Sequence, residues 1–160
     1  MLRRLRREIG RYRKAAPKLL TLGWRGWRSL ARAQIALLRA QRDLRSRPTG
    51  EFVRDVAVHA PSSGATPDRR PEIRELAKAL NRAATFGLFR PKCLVRSMGL
   101  RRMIDDAGIA GATVRVGVQV LRGRFIAHAW VEYDGEVMGD DPALVARYVP
   151  LSGLQVAEFE

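Results

Sequence analysis

The chain has 160 residues, 46% of them apolar, and a formal net charge of +14. That length suits one domain with a real core, and the apolar share argues against wholesale disorder. One cysteine and two histidines exclude an internal disulfide and argue against a structural zinc site of the usual Cys/His type.

The charge is unevenly placed. Residues 1–48 carry a net charge of +13, and residues 49–160 carry only +1. A near-neutral body speaks against nucleic acid as a partner, and no aromatic pattern suits stacking on bases. No uncharged run approaches the ~20 residues that span a bilayer. No apolar stretch of secretory type follows the basic start. These features lead us to expect a cytoplasmic protein, whose single cysteine is either inert packing or a reactive thiol.

Residues 2–14 are rich in arginine, with Leu2, Leu5, Ile9 and Tyr12 at helical spacing. Pro17 punctuates them. From Lys18 to about Arg47 a second helical pattern sets Leu20, Trp24, Trp27, Ala31, Gln34 and Leu38 on one stripe. The stripe reads as core or interface. Tryptophans among arginines also suit lipid headgroups, so peripheral contact between the basic N-terminus and the inner face of the membrane stays open.

Residues 59–71 hold three prolines with Ser and Gly, a loop that contains His59. Helical spacing resumes over 72–86 through Ile73, Leu76, Ala77, Leu80 and Ala84, and Gly87 stops it. The next helix spans roughly 92–107. Its apolar or small face carries Leu94, Val95, Met98, Gly99, Met103, Ile104 and Ala107; Arg96, Ser97, Arg101, Arg102, Asp105 and Asp106 lie opposite.

Val114, Val116, Val118 and Val120 then alternate with Arg115, Gly117 and Gln119, a period-two strand. Arg122-Gly123-Arg124 makes a turn, Phe125 to Tyr133 the next strand, Asp134-Gly135 a hairpin turn, and Glu136 to Asp140 a third strand. Pro142 opens a short helical segment. Helices followed by an antiparallel meander define an α+β chain. We divide it into a basic helical region (1–58), the Pro-rich loop (59–71) and a core (72–160), one compact domain with the N-terminal helices.

Cys93 sits where a loop becomes a helix. Unpaired N–H groups and the positive end of the helix dipole meet there, with Arg90, Lys92 and Arg96 close by, conditions that favour the thiolate a nucleophile needs. Its own N–H could serve an oxyanion. His128 lies on the second strand between Ala127 and Ala129, small neighbours that leave room for a helix end, and imidazole suits a general base. His59 has no such setting.

An acid is needed to orient the imidazole. A two-residue Asp134-Gly135 turn places Asp141 opposite His128, and one bulge would present Asp140 instead. Glu132 shares the His128 face but lies about 13 Å along the strand, too far. A serine site is poorly supported, because Ser97 is one turn inside the helix and no Gly-x-Ser-x-Gly elbow occurs. No Gly-rich phosphate loop precedes a helix, and we expect neither cofactor nor metal.

The run from Phe89 to Ser97, the Gly117-Val118 strand, and Ala127-His128-Ala129-Trp130-Val131-Glu132 followed by Gly139-Asp140 resemble the transglutaminase-like leader peptidases of lasso-peptide biosynthesis. The likeness covers roughly residues 72–150, with Gly139 where that family more often has Asn. It implies a papain/transglutaminase-like fold with nucleophile Cys93, base His128 and acid Asp140, and an enzyme that cuts the leader from a ribosomally made precursor peptide. It also implies two partners: a lasso cyclase, and a leader-recognition protein, which we expect to be separate because the N-terminal region shows no winged-helix strand pattern. Acyl transfer onto an amine, and a non-catalytic basic binding module, are the alternatives.

Overall fold

The computed structural model describes residues 23–46 and 68–151. The predicted first helix, His59 and most of the Pro-rich loop lie outside them. Helix α1 spans Trp24–Ser46, α2 Arg70–Phe86 and α3 Cys93–Asp106. Strands β1 (Ala112–Leu121), β2 (Arg124–Tyr133) and β3 (Glu136–Met138) follow, then the short helix α4 (Pro142–Val145) and β4 (Val149–Pro150). The order is helices first, then an antiparallel sheet, an α+β fold.

Helix α1 buries a different stripe from the one its tryptophans suggest. Trp24 is 76% exposed, Trp27 47% and Leu38 44%, whereas Ala33, Ala36, Leu37 and Ala40 are buried. Leu30 and Leu44 extend that buried line at i, i+3, i+4 spacing. The small residues win because alanines let α1 approach the other helices closely. At Gly99 of α3 an added Cβ would lie 3.2 Å from both Leu37 of α1 and Leu80 of α2. The three helices meet there. Leu37, Ile73, Leu80 and Ile104 are fully buried around this crossing, each worth roughly 1.5–3 kcal/mol of apolar burial.

Helix α2 starts at Arg70, so Pro71 falls in its first turn, where a missing N–H costs nothing. Arg70 and Arg74 reach Glu136 at 3.0 and 2.6 Å. These surface pairs tie α2 to the β2–β3 turn but add little stability.

The sheet order is β3-β2-β1-β4. Register runs from Ala112↔Tyr133 to Leu121↔Arg124 between β1 and β2, and Val131↔Met138 to Tyr133↔Glu136 between β2 and β3. One face presents Ala112, Val114, Val131 and Tyr133 to the helices. The other carries Arg115, His128, Trp130 and Glu132. Trp130 is nonetheless only 1% exposed. Its ring lies over Gly117, where a Cβ would come within 2.8 Å of it, and the carbonyl of Val149 on β4 stands 2.9 Å from the same point.

The third strand ends at Met138, not Asp140; β2 begins at Arg124, which pairs with Leu121 and is not part of the turn; and a fourth strand, β4, pairs with Gly117 and Val118.

Candidate active site

Cys93 is the first residue of α3 and is half-buried. Pro91 favours an extended residue before it, and Lys92 is itself extended (φ −71°, ψ 166°) as the N-cap, with no side chain capping the helix. The amide of Arg96 makes the first helical hydrogen bond, to the Lys92 carbonyl at 3.0 Å. The N–H groups of Cys93, Leu94 and Val95 precede it and have no partner within the helix.

Ser97 fastens that turn to the sheet. Its hydroxyl lies 2.8 Å from the carbonyl of Ala129 and 3.1 Å from that of Cys93. One oxygen thus sits within hydrogen-bond reach of both the first residue of α3 and the neighbour of His128. Helical spacing sets Ser97 on the polar face, yet it is only 6% exposed.

His128 faces Gly117 across the β1–β2 ladder. Its ring packs 6.3 Å from that of Trp130 and 5.1 Å from that of Tyr148. Nε2 lies 2.7 Å from Oδ2 of Asp140. A carboxylate only accepts, so Nε2 carries the proton in the neutral imidazole and Nδ1 is left as the basic nitrogen.

Between the two open acids the geometry brings Asp140 to the ring. The β2–β3 register is the one the two-residue turn dictates, but pairing stops at Met138 and no bulge intervenes. Gly139 instead adopts φ +76°, with Leu100 Cδ2 and Ala77 Cβ 2.8 and 3.1 Å from where its Cβ would be. This left-handed residue swings Asp140 toward His128. Asp141 caps α4 by accepting from the Ala143 amide at 3.0 Å, and its own amide donates to Oδ1 of Asp140 at 2.9 Å. Both oxygens of Asp140 are therefore held.

Glu132 does not reach the imidazole. It accepts from Trp130 Nε1 at 2.8 Å and from Arg115 at 3.0 Å. Asp105 pairs with Arg101 on the surface.

Sequence reasoning missed Asn81 and Tyr148. Asn81 Nδ2 donates to the carbonyl of Gly139 at 3.1 Å, and its Oδ1 accepts from Arg96 at 2.8 Å. Helices α2 and α3 are thereby coupled to the turn that presents Asp140. Only a tertiary contact could have singled out an Asn among the polar residues of α2. A cavity of about 20 Å³, room for about one water, is lined by Cys93, Asn81, Arg96, Ala129, Trp130 and Asp140. Among the described residues no group of three or more His, Cys, Asp or Glu side chains is placed to hold a metal ion, and no helix is long and apolar enough to cross a membrane.

A thiol thus stands at the head of a helix packed on an antiparallel sheet, whose second strand carries an imidazole held by a carboxylate from the turn after β3. A family model described as the transglutaminase-like superfamily matches residues 34–153, and the chain belongs to that superfamily, whose members are usually cysteine proteases or transferases. No curated protein and no solved structure shows a significant match.

Proposed function

We propose that this protein is a cysteine endopeptidase that removes the leader from a lasso-peptide precursor, with Cys93 as nucleophile, His128 as base and Asp140 as the orienting acid. The observation that carries the reading is the 2.7 Å contact between His128 Nε2 and Asp140 Oδ2, on a strand that Ser97 pins to the Cys93 turn. Orientation through Nε2 leaves Nδ1 as the nitrogen that takes the thiol proton.

The chemistry follows in two steps. Sγ of Cys93 attacks the scissile carbonyl, and the oxyanion is met by N–H groups of the uncapped first turn of α3. The C–N bond breaks as the imidazolium protonates the leaving amine, which becomes the core peptide's N-terminus. Water, deprotonated by His128, then hydrolyses the thioester and restores the thiol. A separate recognition protein delivers the leader, and a cyclase uses the freed amine.

Cys93→Ala and His128→Ala should each abolish leader removal, read by mass spectrometry of the precursor, without changing the melting temperature by more than a few degrees. Cleavage retained by purified Cys93→Ala would rule the proposal out. The same thioester could pass to an amine, as the superfamily's transferases do. Product mass separates the two, since hydrolysis adds water and amide formation from a glutamine donor loses ammonia.

A further inference from the structure

The β1–β2 ribbon runs beyond the body of the protein. Every residue from Val120 to Ala127 is exposed, yet the ladder stays in register to its last pair, Leu121↔Arg124. These are not the residues of a merely solvated turn. Phe125 is 82% exposed, Val120 64% and Leu121 52%. The charges beside them are Arg122 and Arg124, and no acid occurs anywhere from residue 107 to residue 131.

One edge of this ribbon is open. β3 covers β2 only from Val131 to Tyr133. On the same edge the Ala129 carbonyl is taken by the Ser97 hydroxyl. Backbone groups of alternate residues point to the same edge, so those of Phe125 and Ala127 point there too. Among the described residues no strand lies against them. Exposed edges are usually shortened, bulged or covered, because an uncovered one is a template for another strand.

The open edge leads to the thiol. The connection after Asp106 returns the chain at Ala112 beside Tyr133, so α3 runs alongside β2 in the same direction, with Ser97 abreast of Ala129. Going back four helical residues covers about 6 Å, and going back two strand residues covers about 7 Å. The first turn of α3 therefore lies toward the Phe125 end of β2, with the Cys93 carbonyl 3.1 Å from the Ser97 hydroxyl.

We propose that the open edge of β2 at Phe125–Ala127 binds the substrate as an added strand, an extended peptide that carries apolar and acidic residues. Strand addition uses the backbone for affinity and alternate side chains for selection. On one face the added strand meets Phe125 and Val120; on the other it meets Arg124 beside Leu121 and Ile126, so acidic side chains are read at the Arg124 end of that face. The inference deepens the peptidase reading, since it names the form in which substrate reaches Cys93, but the binding is measured independently of cleavage.

The test titrates a ten-residue peptide of alternating valine and aspartate into the full chain. Two further copies are N-methylated at one or the other set of alternate amides, and a fourth replaces aspartate by lysine. The expected result is millimolar or tighter binding of the parent, at least tenfold weaker binding of one methylated copy and of the lysine peptide, and slowed hydrogen exchange at the Phe125 and Ala127 amides. Equal affinity of both methylated copies, or no parental binding at millimolar concentration, overturns the proposal. So does burial of Phe125 in anionic phospholipid vesicles without any peptide binding, which would give the ribbon to a membrane. Alkylation of Cys93 by iodoacetamide, followed in the same samples, keeps the two ideas apart: a fast-reacting thiol with no peptide binding sinks strand addition alone, and peptide binding with an inert thiol sinks the peptidase alone.

Discussion

Asp140 and Asp141 are neighbours with different partners. Asp140 holds the imidazole, whereas Asp141 holds the first turn of α4. Asp140→Ala should lower leader cleavage roughly 10²- to 10⁴-fold while leaving the fold intact, the loss expected when a catalytic imidazole is no longer oriented. Asp141→Ala keeps the amide that supports Asp140 and removes only the cap. It should cost about 1 kcal/mol of stability and less than tenfold in rate. Equal rate losses in the two variants would contradict this division. Asn81 belongs to the same scale: Asn81→Ala leaves the Gly139 carbonyl and the Arg96 guanidinium without their partner, at a cost of about 1–3 kcal/mol in denaturant unfolding. Sequence alone left the acids open because their assignment depends on where β3 stops. That is decided by Gly139, whose left-handed turn fits between Leu100 and Ala77 of two separate helices.

At the scale of elements, local pattern was legible wherever one periodicity ruled. The valine alternation of β1 gave a strand, and the Asp134-Gly135 turn gave the β2–β3 register, but Arg124, read as part of a turn, pairs with Leu121. The apolar face of α3 gave a helix that starts at the thiol. Helix α1 misled because its large aromatics point outward and its alanines point in, a choice that depends on how closely its neighbours approach. β4 is two residues long and ends in Pro150, too little for any pattern. Ser97 shows the same limit, since a polar residue is buried to join helix and strand. Ser97→Ala should therefore cost about 1–3 kcal/mol, because the buried Ala129 carbonyl loses its donor. Thermal unfolding would show it as a fall of several degrees in Tm, and an unchanged Tm would mean the joint is held elsewhere.

For the whole molecule, the order of helices before strands carried the fold class, and the placement of charge separated a near-neutral body from a strongly basic N-terminal region. We propose that the basic region tethers the enzyme to a membrane or an acidic partner. Removing residues 1–16 should weaken salt-sensitive binding to anionic vesicles and leave the Tm of the body unchanged, as liposome sedimentation and calorimetry would report. We propose that Cys93 of a helix, His128 of a strand and Asp140 of a turn work as one unit. The most direct test is the rate at which iodoacetamide alkylates Cys93 at neutral pH in the wild-type chain and in His128→Ala. A reaction at least tenfold slower in the variant is expected; the same rate in both would mean that the imidazole does not act on the thiol.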